Sequence, residues 1–362
     1  ATIVGTISLS ITMVLVNYVY AIPLYARFMN YDISKTLGLV HYLAAMVAPF
    51  NLIEGVIWAV AFGLIYTLLQ PILKKYENDI PGKIVLIFQP GEECSSGARL
   101  ISEHGYIDEV EEIFGLHVFG DIECGKISIE EGPRMAASNK FTIKITGKSG
   151  HAGKPQQCID ATIVCAAIVM NLQSIISREI DPLNSAVVTI GHIKSGETHN
   201  VISGEAFIEG TIRCFNASTT KHIQTSIKRI AYSTAIAYGA TASVEYDISH
   251  HPAVINDPKV TKTALDAAKK IFDEKDIIKV PRMMLGEDFS VYQKRIPGVF
   301  VFVGAGNEEI GRDYPNHNDK FNIDEKAVLI STQLYVAFAL ESLGGEEKKQ
   351  HSNQKLKEEV WN

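Results

Sequence analysis

Positive charge is in short supply. The 34 Lys and Arg are outnumbered by 41 Asp and Glu, so the 362-residue chain carries a net charge of −7. That balance leaves no electrostatic footprint for nucleic acid. Cysteine is scarce and scattered: Cys94, Cys124, Cys158, Cys165 and Cys214 make no close pair and no CxxC. Such spacing argues against a disulfide framework and fits a reducing compartment. Charge of either sign is missing from the front of the chain. None occurs from Ala1 to Ala26, and Glu54 is alone between Thr36 and Gln70. Apolar runs of this length predict two or three membrane spans, near 3–24, 37–49 and 52–69, with a break at Pro49-Phe50-Asn51. There is no basic leader and no small-residue cleavage site, so the run does not read as a signal peptide. Arg27, Lys35, Lys74 and Lys75 flank the spans and predict that the polar remainder of the chain faces the cytoplasm. The chain opens on Ala rather than Met, in the middle of an apolar run, as a chain without its natural start would.

What is present is concentrated in the stretch from Lys83 to His117, KIVLIFQPGEECSSGARLISEHGYIDEVEEIFGLH. Ile84–Phe88 reads as a short buried parallel strand, stopped by Gln89-Pro90-Gly91. Glu92 and Glu93 follow where the strand hands over to a helix, Cys94–His104. A second strand, Glu112–Leu116, ends in His117. Acidic and imidazole groups at the carboxyl ends of neighbouring parallel strands are where open α/β sheets place ligands. Adjacent carboxylates call for a positive neighbour. A metal ion would meet that need, with one Glu as ligand and the other as base. A helix-capping Glu pair is the alternative at this point.

The rest of the chain is α/β in pattern. A polar hinge at 76–82 separates the apolar front from the rest. From Asn139 the alternation Phe141, Ile143, Ile145 opens a strand. A helix (160–176), two strands (186–193 and 206–215), a second helix (219–238) and a last strand (242–248) follow. That is βαββαβ, the ferredoxin-like split arrangement. Helices at 258–272 and 324–343 and a buried strand at 299–303 resume the first pattern, with a helix opening at Gly286-Glu287-Asp288-Phe289. The division expected is therefore 1–75 as transmembrane helices, 76–137 with 250–344 as a mixed-sheet α/β domain, 138–249 as an inserted ferredoxin-like α+β domain, and 345–362 as a charged tail.

Two resemblances sharpen this. VNYVYAIPLYARFM with VAPFNLIEGVIWAVAFGLIYTLLQPILKK resembles the C-terminal half of a riboflavin-type substrate-binding subunit of energy-coupling-factor transporters, over about 1–75. FQPGEE (88–93), FGLHV (114–118), GKSGHAGKP (147–155), THNVISG (198–204), EGTIRCF (209–215), GEDFS (286–290) and YPNHNDKFNID (314–324) together resemble the M20 metallopeptidases over about 76–344, with the N-acyl-amino-acid amidohydrolases as the subgroup. This second resemblance implies cleavage of an N-acyl amino acid at its amide bond. It implies Glu92 as general base, and Glu93, His117 and His317 as ligands of a divalent metal such as zinc, manganese, cobalt or nickel. It further implies His151 as an oxyanion donor reaching a partner subunit's site, Asn200 and Arg213 as binders of the substrate, and a homodimer through the inserted domain. No catalytic role is implied for Gly286–Ser290. The subgroup's Cys-Gly-His-Asp string, which completes a two-metal site, is absent here. The expectation is then one ion or none, with an inactive chain as one outcome. A remnant of a vitamin transport component and a catalytically dead, membrane-tethered dimeric scaffold are the two rival readings, and lipid would be a partner under any of the three.

Overall fold

The computed structural model describes residues 82–344 apart from 95–96 and 248–250, together with scattered positions between 45 and 67 that are all helical. The chain divides into two compact units, Ala1–Pro81 and Gly82–Asn362. The expected membrane spans, the transporter-like segment and the charged tail lie outside the described residues, those scattered positions apart. Among the described residues two helical stretches, Ala161–Glu179 and Lys326–Leu343, are long and apolar enough to cross a membrane. Both lie against sheets of the second unit.

That unit holds two layered bodies, one with a core on each face of its sheet and the other with a single core. The first is built on a mixed sheet of β1 (Ile113–Glu123), β2 (Ile127–Ser128) and β11 (Gly298–Gly306), in the order β1-β11-β2. β1 runs parallel to β11 from Ile113↔Gly298 to Phe119↔Gly304, and β2 is antiparallel to β11. Every residue of β11 is buried. Its period-two alternation explains how. Val299, Val301 and Val303 face α4 (Pro258–Ala268) and α6 (Lys326–Leu343), packing on Val260, Ala264, Leu334 and Phe338. Phe300 and Phe302 face the opposite core, with Phe119, Phe289, Tyr292 and Ile296. That second core also takes Ala98 from α1 (Gly97–Glu103) and the short helix α5 (Ser290–Gln293). A two-stranded ribbon joins β3 (Gly132–Met135) to β10 (Val254–Asn256).

The other body is built on an antiparallel sheet of β4 (Ala137–Thr146), β6 (Ala186–Ser195), β8 (Glu205–Cys214) and β9 (Thr241–Tyr246), ordered β6-β8-β4-β9. With α2 (Ala161–Ser174) and α3 (Ala217–Ala237) this is a βαββαβ unit of ferredoxin-like order. In β4 the residues alternate between buried and more exposed along the whole strand, and the inward set Phe141, Ile143 and Ile145 meets Ile168, Leu172, Ile223 and Ile227 from the helices. Asp160 caps α2 by accepting from the N–H groups of Thr162 and Ile163, and Asn216 caps α3 through Ser218. A small ribbon of β5 (Gly150–His151) and β7 (Val201–Ile202) stands beside this sheet.

Two expectations need correction. Ile84–Phe88 forms no strand: it runs unpaired, with Leu86 and Phe88 72% and 81% exposed. An apolar run becomes a sheet strand only when a neighbour offers its edge, and among the described residues none pairs with it. His117 is not at a strand end either, because β1 continues to Glu123 and pairs His117 with Phe302.

Candidate active site

Glu92 and Glu93 sit in a single tight turn, Glu92–Cys94, directly before α1. Opposite them β1 presents His117 half-buried, and the loop after β11 presents His317. The His317 Nε2 lies 3.7 Å from Glu93 Oε1, with both side chains about three-quarters exposed. His317 has a positive φ of 65°, the single non-glycine case among the described residues. Such a conformation costs energy and persists where its surroundings enforce it. Asn316 supplies the enforcement: its Nδ2 donates to the carbonyl of Val118 at 3.0 Å, and its Oδ1 accepts from the N–H of Gly120 at 3.3 Å. The loop is thus stitched to β1 on the residues that follow His117. His117 Nδ1 is 2.8 Å from the Val118 carbonyl. A carbonyl only accepts, so Nδ1 carries the proton and Nε2 keeps its lone pair for a ligand. Burial lowers the His117 pKa, with the Val118 bond and Glu93 opposing. A neutral imidazole is the ligating form.

A second group of acids closes on Glu92 from behind. Glu92, Glu287 and Asp288 each offer an oxygen within 4.8 Å of the others, and Glu287 and Asp288 are buried. Burial, then Asp288 and Glu93, pushes the Glu92 carboxyl up. Burial, then Glu92, pushes Glu287 up to about 8. Both Asp288 oxygens are already filled by N–H donors from Gln89 and Ala98. Among the described residues this trio is the set of acids whose oxygens come close enough together to share a cation or a proton. Beside it, Glu93 and His317 stand 3.7 Å apart and His117 lies near enough for both to shift its pKa, a set of nitrogen and oxygen donors of the kind divalent cations take.

The remaining expected residues lie on the βαββαβ unit. His151 on β5 and Asn200 just before β7 are neighbours, since the Ala152 N–H donates to the Asn200 carbonyl at 3.1 Å. Both are exposed, and among the described residues no hydrogen bond or ion pair joins them to the Glu92 cluster. His151 Nδ1 accepts from the Gly153 N–H at 2.9 Å, so the neutral ring carries its proton on an outward Nε2. Arg213 on β8 is nearer the acids. A methyl group on Gly286 would come within 2.6 Å of Arg213 Nη1 and of the His251 ring. The guanidinium is half-buried, its pKa lowered by that burial, and among the described residues no carboxylate pairs with it. Sequence reasoning left Glu287, Asp288 and His251 without a role. The available signal was two acids set between Met283-Met284-Leu285 and Phe289, a place where polar side chains are buried only if something bonds them.

Known proteins give this geometry a context. An N-acetylcysteine deacetylase of Bacillus subtilis is 36% identical over 270 residues, 74% of this chain and 69% of that protein. The IAA-amino acid hydrolase ILR1-like 4 of Arabidopsis thaliana is 33% identical over 271 residues, again 74% of this chain and 62% of the relative. Among solved structures, a Bacillus subtilis protein described as a dinuclear metal binding peptidase from the M20 family superposes with a TM-score of 0.63 at 31% identity, covering 75% of this chain and 68% of that one. The chain therefore spans roughly two-thirds of the length of these relatives. No comparison supports the transporter resemblance. The sequence pattern of peptidase family M20/M25/M40 matches residues 41–341, a match that begins within the stretch expected to be transmembrane. With that span matched and the acid–imidazole cluster in place, the chain belongs to peptidase family M20/M25/M40.

Proposed function

We propose that this chain is a metal-dependent amidohydrolase that cleaves the amide bond of an N-acyl amino acid. The convergence of Glu92, Glu93, His117 and His317 carries the reading, and relatives named for N-acetylcysteine and IAA-amino acid substrates support the substrate class. Glu93, His117 and His317 would hold a divalent ion. When bound, that ion supplies Lewis acidity at the scissile carbonyl and makes water easier to deprotonate. Glu92 takes the proton from the attacking water and returns it to the departing amine. A carboxyl raised by burial is the better base for this at neutral pH. Arg213, half-buried and without a carboxylate partner among the described residues, is suited to the substrate carboxylate, which its planar fork binds through two oxygens. His151 presents an Nε2–H that suits the oxyanion, and Asn200 beside it suits a carbonyl or carboxylate. Because both face solvent on the βαββαβ unit, they serve the site of a second copy in a homodimer under this reading. The apolar front would tether the chain to a membrane, with this unit in the cytosol; release of the chain by alkaline carbonate washing would overturn that part.

The test is metal content together with turnover of a panel of N-acyl amino acids. One bound ion per chain and release of free amino acid are expected. Glu92→Gln should abolish turnover while keeping the ion. Absence of both ion and turnover in the native chain would refute the proposal.

A further inference from the structure

The proposed general base rides on a segment that joins no strand ladder among the described residues. Residues 83–91 have no regular structure and pair with no strand among the described residues, and Leu86 and Phe88 are exposed. Their fixed points are few. Lys83 pairs with Glu109 at the surface, at 2.7 Å. Gln89 is bound on both ends of its amide: Nε2 donates to Asp288 Oδ1 and Oδ2 at 2.8 and 3.0 Å, and Oε1 accepts from the Tyr292 hydroxyl at 2.7 Å. Pro90 lies against Gly97 so closely that a Cβ there would stand 1.7 Å from its carbonyl oxygen. On the far side of the turn, the Ala98 N–H donates to Asp288 Oδ2 at 3.3 Å. Asp288 thus grips the chain both before and after Glu92. Its own backbone N–H is directed at the Glu92 carboxylate.

Asp288 is 1% exposed. A buried carboxylate without hydrogen bonds is costly, and here the Gln89 amide and the Ala98 N–H, on either side of the base-bearing turn, supply them. Tyr292, 2% exposed in the core beside Phe289, anchors the other end of the relay to rigid packing.

We propose that Asp288, acting with Gln89 and Tyr292, is a positioning residue that holds the Glu92 turn at its working distance from the Glu93–His117–His317 cluster. This rests on the amidohydrolase reading. It also gives the Gly286–Ser290 motif a role, that of fastening the unpaired segment 83–91 where a strand ladder would otherwise do so.

Two readouts test it on the full chain. One is hydrogen exchange by mass spectrometry over residues 84–98. The other is steady-state hydrolysis of the N-acyl amino acid panel, with metal content measured alongside. Asp288→Ala should speed exchange in 84–98 and lower kcat by on the order of 100-fold, with KM and bound metal unchanged. Tyr292→Phe is the gentle variant, able to fold normally, and should lower kcat roughly 3- to 10-fold through loss of one hydrogen bond. Combining Gln89→Ala with Asp288→Ala should cost no more than the worse single change, because the two act as one tether. Unchanged exchange in Asp288→Ala would overturn the proposal, as would a kcat loss traceable to lost metal or fully additive effects of the two changes. If the native chain turns over none of the panel, the amidohydrolase reading fails by itself, and the exchange arm still decides whether Asp288 fastens the turn.

Discussion

Glu287 offers the sharpest physical test of the acidic group around Glu92. It is 6% exposed, and its Oε1 accepts from the Phe289 N–H at 3.2 Å. Burial first, then the neighbouring Glu92, raises its pKa from 4.5 to about 8. In the unfolded chain the same carboxyl ionises near 4.5. Below that pH both states are neutral and its stabilising contribution is fully present. As pH rises, the unfolded chain ionises freely while the folded chain holds its proton, so stability is lost progressively until the folded pKa is passed. The loss is about 1.4 kcal/mol per pH unit in that window, with a ceiling of roughly 4–5 kcal/mol. Glu287→Gln keeps the size and the acceptor oxygen but cannot ionise. The variant should match the native protein at pH 5 within about 1 kcal/mol and exceed it increasingly toward pH 8. Urea unfolding of both proteins at pH 5, 6.5 and 8 measures this. A chelator must be present, since a cation among the nearby ligands would change the local field. A gap between variant and native that stays constant with pH, or that narrows as pH rises, would refute the burial argument.

Three further expectations arise from other parts of the fold. Asn316→Ala removes both stitches between the His317 loop and β1 and should weaken metal binding by roughly 10- to 100-fold; calorimetric titration with zinc or manganese would read it, and unchanged affinity would contradict the clamp. Phe141→Ala empties a fully buried position in the βαββαβ core and should cost about 3–5 kcal/mol in denaturant unfolding, with a cost under about 1 kcal/mol ruling out the packing described. Glu179 is held below the usual carboxylate range, chiefly by the Ser226 hydroxyl at 2.6 Å and then by Arg229. Its contribution is present above the ordinary Glu pKa and fades as pH falls through the lowered one, so Glu179→Gln should flatten the acid side of the thermal stability profile below about pH 5.

The elements most legible in sequence are those whose pattern is enforced locally. β4 is an example: Phe141, Ile143 and Ile145 alternate with polar residues because one face of an edge-to-edge antiparallel sheet is dry, and the structure keeps that alternation throughout. The helices expected at 160–176 and 258–272 begin where α2 and α4 do, and the structure adds their caps, Asp160 and Asp257. β11 was legible as a buried run, and its two-faced burial is what a central parallel strand requires. Ile84–Phe88 has the same composition and is not a strand. Nothing in five apolar residues says whether a neighbour stands ready to pair with them, and that is settled by parts of the chain far away in sequence. β1 illustrates the converse error. Its run past His117 through Val118, Phe119 and Ile122 is sustained by pairing with β11 and a register shift before Glu123, neither of which is written in β1 itself.

The site divides along the same line. Glu92, Glu93 and His117 stand out as candidates in the stretch from Lys83 to His117, but their roles, and His317 altogether, come from the resemblance of several short strings to the M20 metallopeptidases. Their companions stand out in neither way. Gln89 is bonded by Asp288 across 199 positions and by Tyr292 across 203, while Asn316 reaches Val118 across 198. In each case a polar side chain is drawn to a distant backbone or amide group because burial without a partner would cost more than the ordering it requires. The proposed ligands and base are therefore readable as types, whereas the distances between them are set by groups that look ordinary in sequence. Two separate fastenings result: Asp288 and Tyr292 hold the acid turn, and Asn316 holds the imidazole loop. If that division is right, Asn316→Ala and Asp288→Ala should fail differently, the first losing metal with the base still in place and the second keeping metal with the base adrift. A common failure of both variants, in metal content and in exchange over 84–98, would mean that the two sides are held by one structure rather than two.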